Sequence, residues 1–239
     1  MLCVSSAGED SRQESGEMVD RAGSEDIRAV VFDFDGTLAV QTLDFGLMRE
    51  RAAEALSRYA PVAAVPTEPV MEELERACAG LSADIAVKAR QATLAAIEKV
   101  ELEAARHSCL FPCVRPMLAA LRGRNIASAV ITRNILPAIR MVFPDVMQYC
   151  VCVLTRDDVV NVKPHPDHLR KALELIACKP CNALMVGDHP MDIQVGKSVG
   201  ALTAGVASGH VSLERLAMEN PTWLADDVGQ LMQRIGLTD

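Results

Sequence analysis

Two aspartates at the end of an apolar run are the residues of this sequence best suited to chemistry. The run Ala29–Phe32 is apolar and β-favouring, and it leads into Asp33, Phe34, Asp35 and Gly36. On a strand, positions i and i+2 lie on the same face, and the glycine allows a sharp turn where the strand stops. Two carboxylates placed in this way suit a hard divalent cation and nucleophilic or acid–base chemistry. Taken alone, the motif is also compatible with an aspartate-rich surface turn.

The apolar pattern predicts the elements that position these acids. Short apolar runs that alternate with helices of about ten residues are typical of a parallel sheet covered on both faces. We therefore expect an α/β fold with a doubly wound, parallel, five-stranded, Rossmann-like core. The predicted strands are Ala29–Phe32, Ala127–Ile131, Cys150–Leu154, Ala183–Val186 and Ala201–Ala207, and the predicted helices between them are Arg115–Arg122, Leu136–Phe143, Pro166–Ala177 and Asp192–Val199.

A helical stretch interrupts this alternation over residues 39–110 and is punctuated by Pro61, Pro66 and Gly80. We interpret it as a small inserted cap, which beside a reactive edge would exclude water and select the ligand. Its helices are predicted near Asp44–Tyr59, Glu68–Ala79 and Asp84–His107. The predicted organisation is an acidic tail over 1–26, an α/β core over 27–38 and 111–239, and the helical cap over 39–110.

The charge distribution excludes several classes of partner. The chain has 239 residues and a formal net charge of −8, and its first 26 residues carry seven acids against Arg12 and Arg21. The remainder is close to neutral, so neither part offers the basic face that nucleic acid or anionic lipid requires. No window approaches the roughly eighteen apolar residues of a membrane span. We expect no nucleic-acid partner, no membrane partner, and a monomer or weak homodimer.

The tail and the cysteines point to a cytoplasmic protein. Residues 1–26 are polar and aperiodic, which predicts disorder, and they resemble neither a secretory signal nor a transit peptide. The eight cysteines include one CxxC pair, Cys178 and Cys181, whereas a structural zinc site usually needs two such pairs. We interpret the cysteines mainly as reduced, buried thiols rather than as disulfides or zinc ligands.

Polar residues follow several of the predicted strands. Asp33, Thr132 and Asp188 each stand where an apolar run stops, and ligands of doubly wound sheets bind beyond the carboxyl ends of the strands. Each residue also has a simpler interpretation by itself. Thr132 could be a helix N-cap, Lys163 a solvated surface charge, and Asp192 a charge in the first turn of its helix.

Taken in order, these motifs resemble the haloacid dehalogenase-like hydrolase superfamily, in its phosphatase branch with a small helical cap. The resemblance covers residues 27–215 and implies an enzyme, a Mg²⁺-dependent phosphoric monoester hydrolase that acts on a small phosphorylated metabolite. The motifs are Asp33-Phe34-Asp35-Gly36-Thr37-Leu38, Thr132, Lys163-Pro164 and Gly187-Asp188-His189-Pro190-Met191-Asp192.

The resemblance also implies a role for each catalytic residue. Asp33 would attack phosphorus to form an aspartyl-phosphate. Asp35 would protonate the leaving oxygen and then act as the base that activates water. Lys163 would neutralise phosphate charge, and Thr132 would donate a hydrogen bond to a phosphate oxygen.

The same resemblance implies the ligands of the metal and of the phosphate. Asp33, the backbone carbonyl of Asp35 and Asp188 would hold Mg²⁺, with Asp192 bound to the ion or beside its ligands. Backbone amides of the loop at Gly36 and Thr37 would hold the remaining phosphate oxygens.

Two features bear on the reaction and the substrate. Asp35 favours phosphate ester cleavage over dehalogenation, because carbon–halogen cleavage needs no proton on the leaving group. Arg133 is expected to bind substrate through a second anionic group, although a salt bridge to the cap or surface is an alternative.

Two alternative functions stay open. One is a phosphotransferase such as a sugar-phosphate mutase, and the other is a non-catalytic interaction module.

Overall fold

The central strand of the sheet is β1, Ala29–Phe32, whose four side chains are completely buried. It pairs in parallel with β2, Ala127–Ile131, on one side and with β4, Ala183–Gly187, on the other. A strand with neighbours on both edges and helices on both faces requires a continuous apolar sequence, which Ala-Val-Val-Phe supplies. The structure is a computed structural model that describes residues 24–61 and 70–238.

The described residues form a six-stranded parallel sheet in the order β3-β2-β1-β4-β5-β6. The remaining strands are β3, Cys152–Leu154, β5, Leu202–Val206, and β6, Trp223–Ala225. The chain adds strands outward from β1 to β3 and then returns to β4, so the direction of winding switches between β1 and β4. The predicted doubly wound α/β fold is confirmed. The predicted count of five strands missed β6, which has only three residues and no preceding apolar run.

The predicted helices of the core are present, with ends that differ by a few residues. The helix predicted over Asp192–Val199 is α7, Pro190–Val199, and it begins two residues earlier because Pro190 occupies its first turn and His189 caps it. Two short 3₁₀ helices, Val146–Gln148 and Pro180–Asn182, complete the connections. The core helices are α4 (Val114–Gly123), α6 (Pro166–Ile176), α7 (Pro190–Val199), α8 (Leu213–Ala217) and α9 (Val228–Arg234).

A cluster of small and branched apolar side chains joins the sheet to α6 and α7. Alanine and glycine allow close approach, and a Cβ on Gly196 of α7 would overlap the methyl group of Thr203 on β5. This packing holds the first turn of α7, which carries Asp192, rigidly against the sheet. The buried cluster contains Val31, Ala129, Ile131, Cys152, Leu154, Leu169, Ala172, Leu173, Ala183, Met185 and Val195.

The structure divides into two compact units. The α/β unit comprises the described chain up to Gln41, Cys109–Leu136 and the chain from Phe143 onward, and the helical unit comprises Thr42–Ser108 and Pro137–Val142. The helical unit contains α1 (Phe45–Leu56), α2 (Val70–Ala79), α3 (Ala83–His107) and α5 (Leu136–Val142) apart from its first residue.

The helical unit has its own apolar clusters. One is formed by residues such as Leu56, Leu74 and Ala89, and a second contains Ala52, Val70 and Ile97. On the surface, Arg90 makes a bidentate ion pair with Glu75 and so links α3 to α2.

The ends of the helical insertion differ from the expected 39–110. Ala39 forms β-bridges with Asp35 and Leu110, and the Val40 N–H donates to the carbonyl of Cys109 at 2.9 Å. These contacts tie both ends of the insertion into the α/β unit. The structure also groups Pro137–Val142 with the helical unit, whereas the sequence placed this segment in the core.

The amino-terminal segment is described from Ser24, and the prediction for residues 1–23 lies outside the described residues. Ser24–Asp26 form a turn in which the carbonyl of Asp26 accepts a hydrogen bond from Asn182 Nδ2 at 2.8 Å. Residues 24–26, which were predicted to belong to the acidic tail, are therefore packed against the α/β unit. None of the helices among residues 24–61 and 70–238 has the length and apolar character of a membrane span.

The seven cysteines within the described ranges are free thiols, and Cys178 and Cys181 share no disulfide. Cys3 lies outside these ranges. Burial raises the pKa of Cys150 to about 12 and that of Cys152 to about 11, so both thiols stay protonated and inert, Cys152 in the edge strand β3 and Cys150 just before it.

Candidate active site

Asp33 and Lys163 form the centre of the site. Asp33 follows β1 directly, and its N–H extends the strand pairing by donating to the carbonyl of Val186 at 2.8 Å. Lys163 Nζ lies 2.5 Å from Asp33 Oδ1 and 2.7 Å from Asp192 Oδ1, with the lysine side chain only 2% exposed. Burial alone would lower the pKa of Lys163, but Asp192 and Asp33 together raise it. The lysine is therefore a charged group held between two carboxylates.

Asp188 and Asp192 come from the turn between β4 and α7. Asp192 is completely buried, and its Oδ2 accepts a hydrogen bond from the His189 N–H at 3.1 Å. His189 Nδ1 accepts one from the Met191 N–H at 3.2 Å, so the two side chains cap the helix reciprocally. The cap turns the carboxylate of Asp192 toward Lys163. It also gives His189 a structural role at the helix terminus.

The carboxylates of Asp33, Asp188 and Asp192 meet in one buried cluster. One oxygen from each lies within 4.8 Å of the others. Burial, followed by the charges of Asp33 and Asp192, raises the pKa of Asp188 to about 8. Burial also raises the pKa of Asp192, to about 6, against the opposing effect of Lys163. Three buried acids facing a single buried lysine leave an excess of negative charge.

This excess of negative charge fits a divalent cation. The cluster offers only carboxylate oxygens, which are the ligands that Mg²⁺ prefers, and a cation would lower the electrostatic cost shown by the raised pKa values. The residues of the site are therefore suited to Mg²⁺.

Two glycines allow the backbone to close around Asp188. Gly36 has φ +80°, and a Cβ at this position would lie 2.5 Å from Asp188 Oδ2. A Cβ on Gly209 would overlap the same oxygen, and Ser208 Oγ donates to the Gly36 carbonyl at 2.6 Å. The sequence analysis did not identify Ser208 and Gly209. Their position just after the fifth predicted strand is the signal that could have found them.

Asp35 and Thr132 are joined through Asn134. Asn134 Nδ2 donates to Asp35 Oδ2 at 3.0 Å, and the Asn134 N–H donates to Thr132 Oγ1 at the same distance. Thr132 is 1% exposed and follows β2, and its N–H donates to the Leu154 carbonyl. Because Oγ1 acts as an acceptor here, the hydroxyl hydrogen of Thr132 stays available for a ligand oxygen.

The loop at Gly36 and Thr37 has a different hydrogen-bond pattern from the one expected. The Gly36 N–H donates to the Ala39 carbonyl at 2.8 Å, and the Thr37 N–H donates to the Phe34 carbonyl at 3.2 Å. Both amides therefore serve the turn itself rather than being directed outward to a phosphate. Thr37 is completely buried, and its Oγ1 has no hydrogen-bond partner among the described residues.

Arg133 lies between Thr132 and Asn134 and is half-buried. Its Nη1 is 3.9 Å from the sulfur of Met191, and its carbonyl accepts a hydrogen bond from Arg156 Nη1 at 3.2 Å. Met191 belongs to the same turn as Asp188, so the guanidinium lies beside the turn that carries the acid cluster. This placement agrees with either a substrate contact or a surface role.

His168 is a buried residue that the sequence analysis did not assign to the site. Its Nδ1 accepts a hydrogen bond from the Lys163 N–H at 3.2 Å, and its Nε2 lies 3.1 Å from the Leu154 carbonyl. This pattern requires the proton on Nε2. Burial, assisted by Lys163, lowers the pKa of His168 to about 4, which keeps the ring neutral. The imidazole thus fastens the backbone of Lys163 to the end of β3.

Asp33 and Asp188 follow the two strands between which the winding switches, and Lys163 is buried beside them. A comparison with known protein families gives a match that agrees with this arrangement. The family model described as haloacid dehalogenase-like hydrolase matches residues 30–206. The chain belongs to this family. The predicted family is confirmed, and the chain is an enzyme, assigned at the level of the family as a phosphoric monoester hydrolase.

Curated relatives are similar over most of the chain. The pyrophosphatase PpaX of Anoxybacillus flavithermus is 30% identical over 89% of this chain and 98% of its own length. The phosphoglycolate phosphatase of Shigella dysenteriae is 29% identical over 89% of this chain and 94% of its own length.

Solved structures share the fold. A hydrolase from Pseudomonas syringae superposes with a TM-score of 0.67 at 18% identity, over 87% of this chain and 98% of that one. CbbY from Rhodobacter sphaeroides, solved in complex with phosphate, gives a TM-score of 0.63 at 20% identity, over 88% of this chain and 99% of that one. At these identities the similarity concerns the fold alone.

Proposed function

We propose that this haloacid dehalogenase-like hydrolase is a Mg²⁺-dependent phosphatase that acts on a small phosphorylated metabolite through an aspartyl-phosphate on Asp33. The observation that carries the proposal is the buried ammonium of Lys163, which contacts both Asp33 and Asp192 within the cluster of three acids. A buried, charged lysine beside a nucleophile suits an anionic substrate such as a phosphate ester.

In the first step, a carboxylate oxygen of Asp33 attacks phosphorus and the bond from phosphorus to the leaving oxygen breaks. Asp35 transfers its proton to that oxygen, which departs as an alcohol. Lys163 fixes the Asp33 carboxylate through Oδ1, which leaves the other oxygen for the attack on phosphorus. Thr132 supplies a hydroxyl donor to a phosphoryl oxygen.

In the second step, the Asp35 carboxylate takes a proton from water as the water oxygen attacks the phosphorus of the aspartyl-phosphate. The bond between phosphorus and the Asp33 oxygen breaks, which restores the Asp33 carboxylate and releases inorganic phosphate. Asp35 thereby regains the proton that it gave to the leaving group.

Asp33, Asp188 and the backbone carbonyl of Asp35 would hold Mg²⁺. The ion, when bound, supplies positive charge that stabilises the charge developing on the transferring phosphoryl group. Asp192 already accepts hydrogen bonds on both oxygens, from Lys163 and from the His189 N–H. We therefore place Asp192 beside the metal ligands, where it orients Lys163.

The proposed substrate carries a second anionic group near the scissile phosphate. The names of the two curated relatives refer to pyrophosphate and phosphoglycolate, and each of these compounds has such a group. Arg133 directly follows Thr132 and lies next to Met191, so its guanidinium is the group proposed to bind this second anion. The cytoplasmic location and the monomeric or weakly dimeric state stay predictions.

The test compares the wild-type protein with Asp33→Asn and with Asp226→Asn, a matched change at an exposed aspartate. Release of inorganic phosphate is measured with Mg²⁺ from phosphoglycolate, pyrophosphate, sugar phosphates and nucleotides. We expect turnover by the wild-type protein and by Asp226→Asn, and a loss of at least about 10³-fold in kcat for Asp33→Asn, because the nucleophile is gone.

Other outcomes would contradict the proposal in distinct ways. Appreciable turnover by Asp33→Asn would exclude the covalent mechanism. Transfer of phosphate between two hydroxyls without release to water would indicate a phosphotransferase such as a mutase. If the whole panel stays intact with Mg²⁺ present, a non-catalytic module is the better interpretation.

A further inference from the structure

Asn134 is a buried amide next to the catalytic acids, with 9% of its surface exposed. It lies in the loop between β2 and α5, two residues after Thr132. Neither the motifs of the sequence nor the family match assigns it a role. Its contacts connect three parts of the site.

The orientation of the Asn134 amide is fixed at both ends. Oδ1 accepts a hydrogen bond from the Ile135 N–H at 2.8 Å, which identifies this atom as the oxygen. Nδ2 therefore faces Asp35 and donates to its Oδ2 at 3.0 Å. The Asn134 N–H is bonded to Thr132 Oγ1, so the backbone that carries the amide is held as well.

A donor on Asp35 Oδ2 determines where the proton of this carboxyl group can be. The carbonyl oxygen of a protonated carboxyl group is a stronger acceptor than its hydroxyl oxygen, so a donor on Oδ2 favours the form that carries its proton on Oδ1. In that form the proton is on the carboxyl oxygen that does not bond to Asn134. The hydrogen bond also restricts rotation of the carboxyl group, which keeps Oδ1 in one position.

We propose that Asn134 is a positioning residue that holds Asp35 with Oδ1 as its proton-bearing oxygen for transfer to the leaving group. This inference rests on the proposed phosphatase function, in which Asp35 is the general acid. Asn134 touches neither the substrate nor phosphorus and acts through Asp35.

The test uses a property that a purely structural residue would not change, the dependence of kcat/KM on the leaving group. This constant reports the steps up to and including formation of the aspartyl-phosphate. Phenyl phosphate has a poor leaving group that needs a proton, whereas p-nitrophenyl phosphate has a good one that needs little assistance. Glycerol phosphate serves as the alkyl ester.

Two variants separate the bond to Asp35 from the bond to Ile135. Asn134→Asp keeps the size and the acceptor for the Ile135 N–H but loses the donor to Asp35, and Asn134→Ala loses both. The matched control is Asn161→Asp, because Asn161 Nδ2 donates to Asp167 Oδ2 at 3.0 Å in an exposed position. Asp35→Asn gives the effect of removing the acid itself.

We expect both Asn134 variants to lose at least about tenfold more kcat/KM with phenyl and glycerol phosphates than with p-nitrophenyl phosphate, a part of the 10²–10⁴-fold that general acids contribute. Asp35→Asn should show the same selective loss, and Asn161→Asp should not. Thermal melts identify any variant that fails to fold, and Asn134→Asp decides the question if Asn134→Ala does fail.

Each of the other outcomes has a definite meaning. If Asp35→Asn shows the selective loss and folded Asn134→Asp loses activity equally with all three esters, the positioning role is wrong and the proposed function stands. If Asp35→Asn itself shows no selectivity, the acid role of Asp35 is wrong, and the proposed mechanism fails together with this inference.

Discussion

At the scale of single residues, the site depends on how closely backbone and carboxylate approach each other. Asp188 is enclosed by Gly36 and Gly209, and neither glycine could carry a side chain without displacing that carboxylate. Arg133 is outside this close-packed group. Its guanidinium lies at the side of the acid cluster, next to Met191. It is the residue through which substrate choice is most directly testable.

Replacing Arg133 by Met should distinguish substrates with a second anion from those without one. A charged hydrogen bond contributes about 1.5–3 kcal/mol, so KM for phosphoglycolate and pyrophosphate should rise about 10–100-fold more than KM for p-nitrophenyl phosphate. Steady-state kinetics with the three substrates measures this ratio. Arg170→Met, at an exposed arginine, is the control, and an equal change in KM for all three substrates would contradict the proposed anion contact.

The positions of the central acids were predictable because each follows an apolar run. Asp33 and Asp188 follow β1 and β4, and the structure brings them together with Asp192 and Lys163, whereas their catalytic and metal-binding roles stay predictions. The contacts of Asn134 and His168 could not be predicted from the sequence, since they depend on hydrogen bonds to residues in other segments of the chain. The hydrogen bonds of the Gly36 and Thr37 amides within their own turn were not predictable, because residue types alone do not reveal turn geometry.

At the scale of elements, the start of α6 links the lysine to the sheet. His165 caps the helix by accepting a hydrogen bond from the Asp167 N–H. His168, three residues after His165, bonds to the backbone of Lys163 and to the end of β3. A neutral, buried imidazole therefore connects a helix, a loop and a strand. Its protonation would place a positive charge beside Lys163.

This connection predicts a pH-dependent stability. The pKa of His168 is about 4 in the folded protein, below its ordinary value of 6.5, so its contribution to stability is present above pH 6.5 and is lost as the pH falls toward 4. Between pH 7.5 and pH 5 this group should cost the wild-type protein about 2 kcal/mol of unfolding free energy. Asn at position 168 would keep an acceptor for the Lys163 N–H without titrating.

Urea unfolding at the two pH values checks the prediction through the difference between wild type and His168→Asn. The variant should be less stable at pH 7.5, because it loses the bond to the Leu154 carbonyl, and the gap should shrink by pH 5. A gap that stays constant would show that His168 does not titrate as described. The comparison removes the opposite contribution of Asp192, which is common to both proteins.

Most elements were predictable because apolar periodicity dominates this fold. β1 and β2 have the predicted ends, and α4, α6 and α7 begin and end within two residues of expectation, whereas α8 and α9 were not predicted. β6 was missed since Trp223–Ala225 is a strand only through its pairing with β5. A strand of three residues is defined by its neighbour more than by its own sequence.

At the scale of the whole molecule, we expect the buried acid cluster to link the stability of the fold to the binding of Mg²⁺. Burial, with the charges of Asp33 and Asp192, raises the pKa of Asp188 to about 8. Without metal, the contribution of protonated Asp188 to stability is therefore fully present below about pH 4 and is lost as the pH rises through 8. A cation bound to the folded state replaces that proton. Stabilisation by Mg²⁺ should therefore increase with pH.

Thermal melts with and without Mg²⁺ at pH 6 and pH 8 test this linkage. At a Mg²⁺ concentration about 100 times Kd, the stabilisation is about 2.7 kcal/mol, which for a protein of this size corresponds to a rise of about 5–10 °C in Tm. The rise should be larger at pH 8 than at pH 6. Asp188→Asn should melt higher than wild type without metal at pH 8 and should respond little to Mg²⁺, while Asp226→Asn behaves as wild type. A Mg²⁺ response that is the same at both pH values would contradict the linkage.

The position of β1 in the sheet also has a consequence for synthesis of the enzyme. Ala29 pairs with Ala127 on one side and with Ala183 on the other, so both neighbours of the strand that bears Asp33 are translated long after it. Pairings this distant along the chain close slowly and late. A nascent chain on the ribosome therefore carries Asp33, the proposed nucleophile, for most of its elongation without the residues that surround it in the folded site, which follow only with β4 and the turn to Asp192.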